Sequence, residues 1–298
     1  MIGELAALFA ALCWAFAPIL YRKALLSTKP ISANIVRCAT NATVLFVVLI
    51  ILGKFGALAA LPTSVLLIAI VSALLGLGIG DTLYLFGLKS IGVSRAVPLG
   101  ATYPLFSLFW SVFFLGQLLS LTAIFGTAVI LGGIFLLTRQ KDEEPAVVKG
   151  KASWLGIVAS LGAAIAWSVG VILMDLALSS APQTLDANYA IVTLRLMTMA
   201  LVLVGLAPFI DKNRGFLKMK KRTVLFLCVG GLIANGVGWI LMNYSLQTIP
   251  ETQSIPISST SPLFAALAGF VLFREKATVK TVLGGIAIVV GIILIFIV

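Results

Sequence analysis

One carboxylate lies deep inside an apolar run of the chain. Asp81 follows Gly76, Gly78 and Gly80 and is far from both ends of that run. An apolar environment disfavours the charged form of a carboxylate, so a group placed there needs a partner or a water-filled cavity. Asp81 could bind a cationic or amino group directly, or it could carry a proton. The structural alternative is a hydrogen bond to a neighbouring helix that serves packing alone.

Two polar stripes would face each other if these runs are helices. At helical spacing Asp81 shares a face with Tyr84, and the equivalent face of a later run carries Asn235, Trp239 and Asn243. We expect these side chains to lie on either side of a central cavity that takes a small polar molecule.

Tryptophans and arginines recur at matching places. Trp14 and Trp167 lie in the middle of their runs, away from the interface where aromatic belts form, so they either line the cavity or pack in the bundle. Arg37 and Arg195 each lie about two turns inside a run, where long side chains can snorkel to the interface. Pairing with an acid at a helix end, or contact with an anionic substrate, are the alternatives for the arginines.

Two other runs combine hydroxyl side chains with prolines. Proline frees backbone carbonyls, which then need a neighbour or a water-lined site. Tyr103 lies beside the prolines of the first run, and Ser258 and Ser259 lie between those of the second. We expect both runs to be bent and to line the cavity, although such hydroxyls can also hydrogen-bond to helix backbone. The prolines are Pro98, Pro104, Pro256 and Pro262.

The elements that position these residues are predicted to be membrane helices. Apolar residues make up 61% of the 298 residues and charged residues only 10%, whereas a soluble domain has about 25% charged residues. A spanning helix needs about 20 mostly apolar residues. By that length the sequence predicts an all-α membrane protein with ten spans, at residues 3–22, 31–52, 64–87, 95–115, 121–138, 153–178, 187–210, 223–245, 253–273 and 279–298.

The chain matches itself when it is displaced by 158 residues. Seven of the nineteen residues at 88–106 are identical to those at 246–264. The first helices of the two halves match at a displacement of 153, which places Trp14 on Trp167. Internal repeats in an apolar chain are typical of transporters. We predict a first five-helix repeat at 1–138, a linker at 139–152 and a second repeat at 153–298.

The basic residues are unevenly distributed over the loops. Eighteen of the 21 lysines and arginines lie in the loops after spans 1, 3, 5, 7 and 9, whereas the other loops contain only Lys54. The positive-inside rule makes the basic loops cytoplasmic and both termini extracytoplasmic. Equivalent loops of the two halves have opposite charge polarity, which predicts inverted repeats. We therefore expect a multi-pass cell-membrane protein whose basic face meets anionic lipids.

Several function classes are disfavoured by the composition. The basic loops account for the net charge of +11, so nucleic-acid binding is not expected. There is no histidine, and Cys13, Cys38 and Cys228 occur singly, without metal or disulfide spacing. No phosphate-binding motif occurs, and Asp81 has no acidic neighbour for paired acid–base work, which counts against an intramembrane enzyme acting on lipids. We expect no enzymatic activity, metal or cofactor.

Both halves carry one ordered set of motifs. Each has a tryptophan in its first helix, an arginine in its second, a small-x-Pro…Pro-Leu-Phe run in its fourth and a pair of spaced glycines in its fifth. Small residues let helices approach closely, so we expect the fifth helices of the two halves to pack against each other. This order of motifs resembles the drug/metabolite transporter superfamily, in its ten-helix EamA-type branch. The family usually has a glutamate after the fourth helix. Glu275 supplies it in the second half, whereas the first half departs from the pattern with Gln117.

The resemblance implies an alternating-access carrier with a cavity between the halves, lined mainly by helices 1, 3, 4, 6, 8 and 9. Members move amino acids, nucleotide sugars, other metabolites or cationic drugs, and many are coupled to protons. We expect a secondary transporter of a small polar metabolite, such as an amino acid exporter or exchanger, which works as a monomer or weak dimer. The alternatives are an exporter of cationic drugs and a channel-like or non-transporting membrane protein.

Overall fold

A computed structural model describes residues 1–115, 120–138, 151–264, 267 and 279–296. All regular structure within these ranges is helical. Residues 139–150 of the expected linker and the motif residues Gln117 and Glu275 lie outside the described residues. The helix after the linker begins at Lys151, two residues earlier than expected.

The described helices follow the predicted spans closely, although several spans are divided. The first half contains α1 (Ile2–Leu25), α2 (Pro30–Ile51), α3 (Phe55–Ala59), α4 (Thr63–Ala73), α5 (Asp81–Ile91), α6 (Val93–Gly100), α7 (Tyr103–Leu115) and α8 (Leu121–Thr138). The second half contains α9 (Lys151–Ser179), α10 (Leu185–Ile210), α11 (Lys221–Gly231), α12 (Trp239–Thr248), α13 (Glu251–Ser258) and α14 (Val279–Phe296).

Among the described residues, six stretches are long and apolar enough to cross a membrane. They are Ile2–Leu25, Pro30–Ile51, Thr63–Ile91, Trp154–Ser179, Leu185–Ile210 and Lys221–Thr248. The protein is therefore an all-helical, multi-pass membrane protein. The total of ten spans stays a prediction, because the other apolar helices are shorter within the described residues.

Two π-helical segments occupy equivalent places. Leu74–Gly80 joins α4 to α5, and Leu232–Gly238 joins α11 to α12, at the displacement of 158 residues found in the sequence. A π-helical turn is rare and is frequent at functional sites. Each segment ends immediately before a candidate site residue, Asp81 in the first half and Trp239 in the second.

The first helix of each half packs against the opposite half. α1 lies along α11, α12 and the start of α13, and we call these four helices the α1 bundle. α9 lies along α4, α5, α6 and α7, and we call these five helices the α9 bundle. The halves are thus interlocked, and the space between the two bundles is lined by both.

The predicted interruptions occur in both proline-containing runs. α6 ends at Gly100 and α7 begins at Tyr103, after a turn. In the second half α13 ends at Ser258 and is followed by a turn at Ser259 and Thr260. The backbone therefore bends at the level of the candidate hydroxyl residues.

α8 and α14 pack closely against each other, as their glycines predict. A Cβ atom on Gly133 would lie 2.6 Å from the carbonyl oxygen of Gly284, and one on Gly291 would lie 2.7 Å from the carbonyl oxygen of Gly126. Only glycine permits this approach of two helix backbones. The prediction that these helices pair is confirmed.

Candidate functional site

A cavity of about 100 Å³ lies between the α1 bundle and the α9 bundle. One water needs roughly 10–15 Å³ on this measure, so the cavity has room for several waters or a small solute. Nine of the ten residues expected to contact a substrate line it: Trp14, Asp81, Tyr84, Tyr103, Trp167, Asn235, Trp239, Ser258 and Ser259. Asn243 is the exception. It is fully buried one turn further along α12 and does not line the cavity.

The centre of the site is an ion pair between Arg37 and Asp81. The Arg37 Nη2 and the Asp81 Oδ2 are 2.5 Å apart, and the residues are only 2% and 5% exposed. The same Nη2 donates to Asn34 Oδ1 at 2.6 Å. The indole Nε1 of Trp167 donates to the other carboxylate oxygen of Asp81 at 2.8 Å. Both oxygens of Asp81 therefore have a partner, and a buried pair with these additional hydrogen bonds can be maintained away from water.

Arg195 has a different environment from its repeat equivalent. It is 1% exposed, and its guanidinium carbon lies 4.2 Å from the centre of the Trp239 ring. This is a close cation–π contact. The Nε and Nη2 atoms of Arg195 have no hydrogen-bond partner within the described part of the chain. The expectation that the two arginines snorkel to the interface is wrong, because both side chains point into packed protein. Arg37 lines the cavity, and Arg195 lies behind Trp239.

The tryptophans of the two halves are held in matching ways. Trp167 approaches Gly80, where a Cβ atom would lie 2.7 Å from the indole Cδ1. Trp14 approaches Gly238, where a Cβ atom would lie 2.8 Å from the indole Nε1. These glycines are the last residues of the two π-helical segments, so each segment provides the space that a tryptophan from the other half occupies.

The partners of the two indole N–H groups differ. Trp14 Nε1 donates to the carbonyl oxygen of Ala234 at 3.1 Å, whereas Trp167 donates to a carboxylate. Trp14 also meets the Trp239 ring edge-to-face, with 5.6 Å between centres, and Trp167 lies 4.8 Å from the Tyr84 ring. The cavity is therefore walled by aromatic rings around the Arg37–Asp81 ion pair.

Tyr103 bridges the two bundles. Its hydroxyl lies 2.5 Å from Ser258 Oγ and donates more weakly to the carbonyl oxygen of Ile255, at 3.3 Å. Tyr103 belongs to α7 and the other two residues to α13. The four prolines flank these residues in the helices but do not line the cavity. The four prolines therefore have a structural role, near the interruptions of the helices.

Some lining residues were not predicted from the sequence. Tyr21 lines the cavity, and the Arg37 guanidinium carbon lies 5.1 Å from its ring centre. Asn34 orients Arg37 and donates to Thr82 Oγ1 at 2.8 Å. The signal for Tyr21 was its spacing of seven residues from Trp14, which puts both on one helix face.

Comparison with known proteins decides the family. The model of the EamA-like transporter family matches residues 1–139 and again 154–297. The chain belongs to the EamA-like transporter family. The transporter is 28% identical over 296 residues to an uncharacterized transporter of Archaeoglobus fulgidus, covering 99% of this chain and 98% of the relative. A solved protein structure shares its fold with a TM-score of 0.74 at 16% identity, covering 98% of this chain and 95% of the other.

Proposed function

We propose that this transporter is a secondary carrier of a small zwitterionic metabolite, such as an amino acid, which it exports or exchanges by alternating access through the cavity between the two bundles. The observation that carries the proposal is the Arg37–Asp81 ion pair in the cavity wall. A zwitterion brings one charge of each sign and can replace both members of such a pair, with its ammonium group at Asp81 and its carboxylate at Arg37.

The charges at the centre of the protein favour a zwitterion over a cationic drug. Among the described residues around the cavity there are two buried arginines, Arg37 and Arg195, and one buried aspartate, because Arg195 lies over the Trp239 ring. A purely cationic molecule would have to displace Arg37 from Asp81 and leave that guanidinium buried without a counter-ion, which is costly. The aromatic walls provide an apolar surface for the rest of the molecule.

The repeats favour an alternating-access mechanism rather than a channel mechanism. Each half contributes the same elements to the cavity in an interlocked arrangement, so two equivalent bundles can rock about a site near the membrane midplane. Buried side chains of both halves pack in two hydrophobic clusters, with Tyr21, Leu25 and Leu88 in one, and Met174, Leu178 and Leu246 in the other.

The test compares charge forms of one molecular skeleton. Purified protein is screened with amino acids by thermal shift, and the best stabiliser is compared with its methyl ester, a cation, and its N-acetyl form, an anion. We expect saturable counterflow in proteoliposomes with the free amino acid and at least tenfold weaker inhibition by either derivative. Equal inhibition by the ester would favour the cationic-drug exporter instead. Linear flux without counterflow would favour a channel.

A further inference from the structure

Two basic side chains connect α1 and the loop after it to the end of α5, at the face of the protein that carries most of the basic loops. Arg22 Nη1 donates to the carbonyl oxygens of Leu88 and Lys89, each at 3.0 Å. Lys89 Nζ donates to the carbonyl oxygen of Thr28 at 2.6 Å. α1 belongs to one bundle and α5 to the other. These contacts therefore join the two bundles that line the cavity.

The carbonyl groups at the end of α5 are good hydrogen-bond acceptors for Arg22. The last four carbonyl groups of an α-helix have no partner within the helix, and α5 ends at Ile91. Leu88 and Lys89 thus present free carbonyl oxygens, and a cation at a helix C-terminus is stabilised by the helix dipole. The guanidinium has several N–H donors in a rigid plane, so it can hold two carbonyls at once.

Within the described residues, the repeat-equivalent position at the opposite face lacks these contacts. The displacements of the repeat put Asp175 at the place of Arg22 and Gln247 at the place of Lys89. An ionised carboxylate accepts hydrogen bonds and cannot donate to a carbonyl. The Gln247 Nε2 is buried and has no hydrogen-bond partner within the described ranges. Within the described residues, neither side chain therefore makes a hydrogen bond equivalent to that of Arg22.

We propose that Arg22 is a gating residue of this transporter. Its two hydrogen bonds keep the cavity closed at the basic face and must break before the cavity opens there, whereas neither Asp175 nor Gln247 makes such a contact at the repeat-equivalent position within the described residues. The inference rests on the alternating-access carrier proposed above. It predicts that removal of these hydrogen bonds increases opening of the cavity at the basic face.

The experiment measures from which face the cavity is accessible. A single cysteine replaces Ala17, which lines the cavity, in a variant without the three native cysteines. A membrane-impermeant thiol reagent is applied to vesicles of each orientation. We expect slow labelling from the basic face and about tenfold faster labelling from that face in Arg22→Gln.

Matched variants separate gating from a general effect of charge. Lys23→Gln removes the neighbouring positive charge, but Lys23 lies over the Phe226 ring of α11, in the same bundle as α1, at 5.9 Å. This variant should label at the parental rate. Asp175→Arg supplies the missing guanidinium at the opposite face and should slow labelling from there. Arg22→Lys, which keeps the charge and cannot hold both carbonyls in a planar fork, should label at an intermediate rate.

The outcomes test the gating role of Arg22 and the alternating-access mechanism separately. Parental labelling of folded Arg22→Gln and Arg22→Lys, or an equal increase in Lys23→Gln, overturns the gating role. If Arg22→Gln does not fold, Arg22→Lys and Asp175→Arg decide, and parental rates in both overturn it. Equal and rapid labelling from both faces of the parental protein contradicts alternating access itself.

Discussion

Asp81 and Trp239 occupy equivalent positions in the two repeats, and each is held between the arginine of its own half and the tryptophan of the other. Arg37 and Trp167 hydrogen-bond to Asp81. Arg195 lies over the Trp239 ring at 4.2 Å, and Trp14 meets that ring at 5.6 Å. The two repeats therefore place different residues, an aspartate and a tryptophan, in equivalent surroundings. The symmetry is broken by a single carboxylate, which is where a polar substrate would be distinguished.

Breaking the central ion pair should destabilise the transporter and stop transport. Asp81→Asn keeps the shape and an acceptor for Trp167 but leaves Arg37 buried without a counter-ion, which costs about 3–5 kcal/mol. Fluorescence-detected thermal unfolding in detergent measures stability, and counterflow measures transport.

The double variant Asp81→Asn with Arg37→Gln separates the two effects. It has no uncompensated charge at this pair, so most of the lost stability should return, while transport should remain absent. Recovery of transport in the double variant would mean that the pair is structural and takes no part in substrate binding.

The two equivalent tryptophans should respond differently to the same substitution. Trp167→Phe removes a hydrogen bond to a carboxylate, and Trp14→Phe removes one to a backbone carbonyl. Hydrogen bonds to charged groups contribute about 1.5–3 kcal/mol and neutral ones about 0.5–1.5 kcal/mol. We expect at least a tenfold loss of substrate affinity for Trp167→Phe and a smaller loss for Trp14→Phe, measured by thermal shift against substrate concentration. The reverse order would argue against a direct role for Asp81 in binding.

Two adjacent glycines of α8 provide a matched pair for the contact with α14. A Cβ atom at Gly133 would lie 2.6 Å from the Gly284 carbonyl oxygen, whereas a Cβ atom at Gly132 would have nothing within 4 Å. Gly133→Ala should therefore cost about 1–3 kcal/mol through overpacking. Gly132→Ala should be neutral or stabilising by up to about 1 kcal/mol, because alanine favours the helix. Equal melting temperatures of the two variants would refute close packing here.

Asp211 should stabilise the loop that follows α10. Its Oδ2 accepts hydrogen bonds from Ser32 Oγ at 2.8 Å and from the backbone N–H of Phe216 at 3.0 Å. Burial by itself raises the pKa of Asp211, but hydrogen bonds from Ser32, Phe216 and Gly215 and the charge of Lys29 bring the pKa below its ordinary value of 3.8. Because the folded-state pKa is lowered, this stabilisation is fully present above pH 3.8 and is lost as the pH falls through the folded-state pKa.

Asp211→Asn should accordingly lower the stability by about 1–2 kcal/mol at neutral pH. Thermal unfolding from about pH 5 to pH 8 should give a constant difference from the parental protein, since the group stays ionised there. Asp186→Asn is the control, because its bond to Lys54 is about half exposed and should contribute little. A difference that grows as the pH falls from 8 to 5 would contradict this account.

Local sequence features predicted much of the fold and the position of the site. The apolar runs predicted the helices, the prolines predicted the interruptions at α6–α7 and at α13, and spaced glycines predicted the pairing of α8 with α14. The central placement of Asp81 and its repeat-related partners predicted which residues would line one cavity. These predictions succeed because hydrophobic length, backbone chemistry and helical periodicity act within a short stretch of chain.

Other features depended on contacts between distant residues. The sequence left Arg37 with three interpretations, and only packing of α2 beside α5 brought its guanidinium to Asp81. The π-helical segments were not predicted from the sequence. Their last glycines contact tryptophans of the other half, and such contacts depend on tertiary packing. Burial of Arg195 over Trp239 and the capping of α5 by Arg22 likewise require particular helix neighbours. The sequence by itself determined which helices form and which polar groups they place in the membrane. The tertiary structure decided the partner of each polar group, because the energy of a buried charge depends on neighbours supplied by distant parts of the chain.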